Sequence, residues 1–275
     1  MGRGKRPNIP IGDKKEIMKI ITGNRDINII EVINMIIDKT RKYGNITQTF
    51  QLLAEVSSLP CVKESIIKNM SNLNFSEDAR NLVGSLTQIY KYQDADAYSL
   101  LLYVMWGRLL TNNGTIDDYE IKYNNDRFEL NCTYNQGTKI RLGTDAISQN
   151  SIEKYKLSEV TYRLLGSFLI LPISGRGGLN SKKALLGENI KKFLDKIKMY
   201  YENDDKSFIM KKYDQDWLNY LGGDDKQKAY NNFCKRLLLT NTEFDTNGIF
   251  TVEYIKNRNT SMYEIIENNS KRSNS

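Results

Sequence analysis

From Asp13 onward, apolar residues recur at the spacing of one helix face. Ile29, Ile33, Ile36 and Ile37 stand at i, i+4, i+7 and i+8, the stripe that an amphipathic helix buries. Phe50, Leu52, Leu53 and Val56 predict a second helix that stops before Pro60, because the residue preceding proline avoids the α region. Ser76, followed by two acids, predicts a further helix start. Residues 13–90 therefore read as a helical N-terminal region. The segment DADAYSLLLYVMWGRLLTNNG opens at Asp94 and closes at Gly114, both suited to helix ends. Its middle is apolar nearly all round, which predicts a buried central helix.

The texture then changes. Residues about 118–143 alternate apolar and polar positions and break at Asn124-Asn125 and Gln136-Gly137. Period 2 with turn residues between predicts an antiparallel meander of about three strands. Helical spacing returns over about 157–170, 188–202, 206–221, 225–239 and 250–267. The helix after Gly187 is the best defined, with Ile190, Phe193, Leu194, Ile197 and Tyr201 as its stripe. Lys191, Lys192, Lys196 and Lys198 fall mostly off it. The fold class is thus mostly α (α+β): a helical N-terminal part and a small β-meander inserted before a C-terminal helical bundle. Residues 91–267 read as one α+β domain. Residues 1–12 read as a flexible basic arm and 268–275 as a disordered tail.

Composition narrows the chemistry. The 275 residues contain no histidine. Ser-His-Asp triads, Cys-His dyads and His-ligated zinc are therefore excluded, and acid–base work would fall to Asp, Glu, Lys, Tyr or Cys. The three cysteines, Cys61, Cys132 and Cys234, are far apart and form no CxxC pair, which predicts reduced thiols and a cytoplasmic setting. No run of 18 apolar residues predicts a membrane span. The start MGRGKRPNIPIGDKK lacks the apolar stretch of a secretory signal, and Arg6 stands where a myristoylation signal needs Ser or Thr. A net charge of +7 and a pI near 9.0 favour RNA, DNA or an acidic protein as partner. The abundance of Lys, Asn and Ile fits an AT-rich coding background, as in a low-GC bacterium or its mobile elements.

The stretch ISGRGGLNSKK, residues 173–183, is the candidate site. Gly177 and Gly178 would let a backbone approach a phosphate. Arg176 could grip it in two bonds, Asn180 could cap a helix or donate, and Lys182 and Lys183 would add charge. It is neither a Walker loop nor a dinucleotide fingerprint. The competing reading is a glycine-rich turn whose Arg176 pairs with a core carboxylate. A second candidate is Glu120-Ile121-Lys122, the E-x-K half of a metal-dependent nuclease site. It would need another carboxylate such as Asp96 to hold Mg2+; outside that alternative, no cofactor or metal is expected. Tyrosines beside lysines, at Tyr90-Lys91-Tyr92, Lys154-Tyr155-Lys156 and Lys212-Tyr213, could stack on bases or simply bridge surface and core.

Over residues about 92–267 an ordered series of short motifs stands out. It runs from Asp96, Tyr98, Ser99, Trp106, Arg108, Asn113 and Gly114 to Thr144-Asp145-Ala146-Ile147, then to Arg176, Gly177 and Asn180. Phe193-Leu194-Asp195, Tyr200-Tyr201 and a final YIKNRN…YEII follow. In this order the chain resembles an uncharacterised bacterial family, domain-of-unknown-function family 6994. The resemblance implies a fold and a site at the Arg176 loop, and it brings no activity with it. The expectation drawn from all this is a non-catalytic nucleic-acid-binding or interaction protein, with a place in phage–host conflict. A metal-dependent nuclease and a protein-binding inhibitor are the alternatives.

Overall fold

The computed structural model describes residues 7–24, 29–65, 95–125, 127–146, 164–179 and 189–272. Nine helices and four strands follow one another among them: α1 (Ile11–Gly23), α2 (Ile29–Thr40), α3 (Ile46–Ser57), α4 (Pro60–Ser65), α5 (Ala95–Asn112), β1 (Asp118–Asn124), β2 (Arg127–Tyr134), β3 (Thr138–Ala146), β4 (Phe168–Pro172), α6 (Ile190–Asn203), α7 (Lys212–Gly222), α8 (Ala229–Arg236) and α9 (Val252–Arg272). The protein is mostly α with one antiparallel sheet between helical segments, in the order β1-β2-β3-β4. The chain divides into two units. One comprises residues 1–108, 119–130 and 267–275; the other comprises 109–118 and 131–266. The border therefore runs through α5, the first residue of β1, β2 and α9, where the sequence placed it at residue 90.

In the first unit the expected stripes are the core. Ile29, Ile33, Ile36 and Ile37 of α2 and Phe50, Leu52, Leu53 and Val56 of α3 are all buried. Asn45 caps α3 by accepting from the Gln48 N–H at 3.3 Å. Pro60 opens α4 at the position where a missing N–H costs nothing. The Phe50 ring meets Tyr123 and Phe128 at centroid distances of 5.1 and 5.4 Å. Strand β1 alternates exposed and buried positions throughout. The backbone of β1 is covered by side chains: the Ser58 hydroxyl accepts from Ile121 N–H at 2.8 Å and lies 3.3 Å from Ile121 O. The Lys63 ammonium donates to Tyr119 O.

The arm expected over residues 1–12 is held in its second half. Ile9 is buried, and its N–H donates to Gln48 Oε1 at 2.7 Å. The Gln48 amide in turn donates to Asn8 Oδ1 at 2.8 Å. Two prolines and few apolar residues suggested a free segment, but one isoleucine is enough to anchor it. Residues 1–6 lie outside the described residues, as does the helix expected from Ser76.

In the second unit, Phe168–Pro172 is a strand and not the end of a helix over 157–170. All five residues are buried, and they pair with β3 from Leu142↔Pro172 to Ala146↔Phe168. A short continuous apolar run looks the same in a buried strand and a buried helix. The start of β4 is fixed from α9. Arg258 is 4% exposed and donates to four backbone carbonyls: Leu237 at 3.0 Å, Leu238 at 2.8 Å, Gly166 at 2.7 Å and Phe168 at 2.8 Å. Next to it, Asn259 Oδ1 accepts from Gly166 N–H at 3.3 Å.

Helix α6 buries Ile190, Phe193, Leu194, Ile197 and Tyr200. Tyr201 is half-buried and donates its hydroxyl to Leu218 O at 2.6 Å. The helix expected from 206 begins only at Lys212. The one expected over 225–239 is shortened to Ala229–Arg236. Helix α9 continues to Arg272, so the tail expected over 268–275 is helical in its first half, with no glycine or proline there to stop it. All three cysteines are free. No helix among the described residues is long and apolar enough to cross a membrane.

Candidate functional site

Beyond Pro172 the chain leaves the sheet. Ile173 N–H still donates to Arg141 O at 2.8 Å, and residues 174–179 then turn. Gly175 and Gly177 sit at φ +77° and +81°, the left-handed region that glycine adopts freely. Gly178 N–H closes the turn on Gly175 O at 3.0 Å. Gly178 has no room for a side chain, because a Cβ there would lie 1.7 Å from the Ser174 hydroxyl.

The turn lies against a helix start, but that of α7 and not α6. Lys211 is the residue before α7, and Asp214 is in its first turn. Asp214 is buried, and its Oδ2 accepts from Leu179 N–H at 2.9 Å. A carboxylate in the first turn of a helix is favoured by the positive end of the dipole. The acceptor that this loop and this helix end share is therefore the chain's own Asp214. The amino end of α6 is satisfied separately: Asn189 Oδ1 accepts from Lys192 N–H at 2.8 Å.

Arg176 is exposed at the tip of the turn and makes no ion pair with a described residue. The turn thus meets a core carboxylate through a backbone N–H, and the arginine is left outside. Gly177 and Gly178 lie within the turn. Asn180, Lys182 and Lys183 lie outside the described residues.

Other cations stand on the strand and the helix start that meet this turn. The Lys211 side chain passes the turn, its Cε 3.9 Å from where a side chain on Gly177 would begin. Lys139 and Arg141 are exposed on one face of β3, while Ile140 and Leu142 between and beyond them are buried. Arg141 N–H donates to the Tyr213 hydroxyl at 2.6 Å, which ties this face of β3 to the start of α7. Lys139 and Lys211, like Arg176, have no carboxylate partner among the described residues. The alternation Lys-x-Arg on a strand was visible in the sequence. What brings it to residue 176 is the pairing of β3 with β4, which was read as helix.

Four other lysines of this unit differ from these, while Lys192, Lys235 and Lys256 on the helices are exposed and have no carboxylate partner among the described residues either. Lys191 pairs with Asp195 at 3.0 Å, Lys198 with Glu202 at 3.7 Å, Lys212 with Asp216 at 2.8 Å and Lys228 with Asp225 at 3.1 Å. The first three are exposed pairs on one helix and the fourth lies in the turn before α8, and such pairs neutralise charge more than they add stability.

Glu120 and Lys122 occupy the exposed face of β1 and pair with each other at 3.1 Å. The side chain of Asp96 lies outside the described residues. Among the described residues no group of three or more His, Cys, Asp and Glu could hold a metal ion. No family model, curated protein or solved structure matches the chain.

Proposed function

We propose that this chain is a non-catalytic nucleic-acid-binding protein of the bacterial cytoplasm or of a mobile element, and that Lys139, Arg141, Arg176 and Lys211 hold the phosphates. The observation that carries the reading is the placement of these four cations. They come from β3, the glycine turn and the start of α7, and all four are exposed; the turn follows a strand bonded to β3 at Arg141 and meets α7 through Leu179 and Asp214. Three of them lack a carboxylate partner among the described residues, whereas Lys191, Lys198, Lys212 and Lys228 are each matched by one. Phosphate is the abundant anion that a spread of cations of this kind suits. The bacterial or mobile-element setting is supported by the coding bias, the abundance of Lys, Asn and Ile.

The test is binding of labelled RNA and DNA oligonucleotides across a salt series. Affinity falls steeply with salt, and Arg176→Ala or Lys211→Ala each lowers the slope of log K against log salt by about one. A chain that binds neither nucleic acid at low salt is a protein-binding inhibitor or something else, and the reading fails.

A further inference from the structure

We infer that the nucleic acid taken at this site is single-stranded, with the ring of Tyr213 as the platform on which an unpaired base stacks; the inference rests on the preceding reading of the site. Tyr213 lies in the first turn of α7, between the exposed Lys211 and Lys212 and the buried Asp214. It is 37% exposed. Its hydroxyl accepts from the Arg141 N–H at 2.6 Å. That N–H sits one residue beyond the last β3–β4 pair, Leu142↔Pro172. The tyrosine hydroxyl thus receives a backbone donor at the point where β4 turns away. The ring is fixed at both ends, by its helix and by this bond, and has little rotamer freedom to lose on stacking.

The surroundings fit a strand with accessible bases. Met210, 68% exposed, adds apolar surface next to Lys211. Arg141 lies at the hydroxyl end of the ring and Lys211 at its helix end, while Lys212 is matched by Asp216. An aromatic face with cations on both sides is what single-strand binders use: the bases stack and the backbone follows the charge. A duplex offers no free base face. It is read by an element laid in a groove, and the amino end of α7 is covered by the 174–179 turn through the Leu179–Asp214 bond.

The intact chain is titrated, by fluorescence anisotropy at one salt concentration, with labelled single-stranded DNA and RNA and with the duplex of the same sequence. Single strands bind at least roughly tenfold tighter than the duplex. Tyr213→Phe keeps the ring and most of this affinity. Tyr213→Leu weakens single-strand binding about tenfold relative to Tyr213→Phe, which lacks the same hydroxyl bond but keeps the ring. Ultraviolet crosslinking of the unmodified chain to the single strand, followed by peptide mapping, needs no variant and places the crosslink on the peptide holding Tyr213. Duplex binding as tight as single-strand binding, or a crosslink elsewhere, overturns this inference while the preceding reading stands. Equal affinity for a poly-glutamate peptide, or no binding to either nucleic acid, overturns both.

Discussion

The backbone N–H of Leu179 donates to the buried carboxylate of Asp214 at 2.9 Å. This bond joins the glycine turn to the first turn of α7. Asp214→Ala leaves a buried N–H without its acceptor, which costs about 1–3 kcal/mol. Asp214→Asn keeps an oxygen in place and costs less. Arg176→Ala, at the exposed tip of the same turn, stays within about 0.5 kcal/mol of the parent. Urea unfolding of the three variants checks the order. A large loss from Arg176→Ala would mean that the arginine, and not the backbone, holds the turn.

Arg258 holds a different junction. Its guanidinium is buried, and burial pulls its pKa down to about 10, so it remains charged at neutral pH. It gathers the end of α8 and the start of β4 through four carbonyls. Arg258→Met leaves those carbonyls without that donor and destabilises the fold by at least about 3 kcal/mol. Arg258→Lys retains the charge but not the planar fork, and recovers only part of the loss. A lysine variant as stable as the parent would show that charge alone suffices.

Much of this architecture was legible in the sequence. Helical stripes such as Ile29, Ile33, Ile36 and Ile37, and the period-2 alternation of β1 to β3, depend on local spacing alone. Strand β4 was not legible, because FLILP is apolar at every position and carries no period. Arg258 stood inside the motif YIKNRN, yet nothing local says that two of its four acceptors lie about 90 residues away in sequence. The candidate site divides the same way. The turn at Arg176 was visible from its glycines. Lys139, Arg141 and Tyr213 join it only through β3–β4 pairing and the packing of α7.

Gly107 of α5 faces the Tyr119 ring, and a Cβ there would lie 2.5 Å from two ring atoms. The ring cannot simply retreat, since the Lys63 ammonium sits 4.3 Å from its centroid and donates to the Tyr119 carbonyl. Gly107→Ala therefore destabilises by about 1–3 kcal/mol, as overpacking does, despite the helix propensity gained. Thermal melting gives the sign; a raised midpoint would mean that the ring moves freely.

The docking of Ile9 is tested by truncation and by substitution. Ile9→Ala removes a buried branched side chain and costs about 2–5 kcal/mol. Deleting residues 1–12 costs at least as much, because the bond from Ile9 N–H to Gln48 is lost too. An unchanged melting midpoint in both would restore the free-arm expectation.

Stability at high pH is set by tyrosines. In the second unit Tyr134, Tyr200, Tyr201, Tyr213, Tyr220, Tyr230 and Tyr254 all have their pKa raised above the ordinary 10.0, burial being the largest cause in each. Tyr254 is pushed up to about 12. Burial raises the Cys234 thiol above its ordinary 9.0 in the same way. Above these ordinary values the unfolded chain releases protons that the fold retains. Unfolding is then favoured as pH rises, so this contribution is complete below pH 9 and is lost from there through about pH 12. Arg258 acts with the opposite sign above about 10, where the fold gives up a proton that the unfolded chain keeps. One such group opposes seven tyrosines. The urea midpoint should therefore stay level from neutral pH to about 9 and fall above 10, with tyrosinate absorbance rising in step with unfolding. Tyrosinate absorbance that develops fully near pH 10 while the chain remains folded would show that these hydroxyls are not held in the interior.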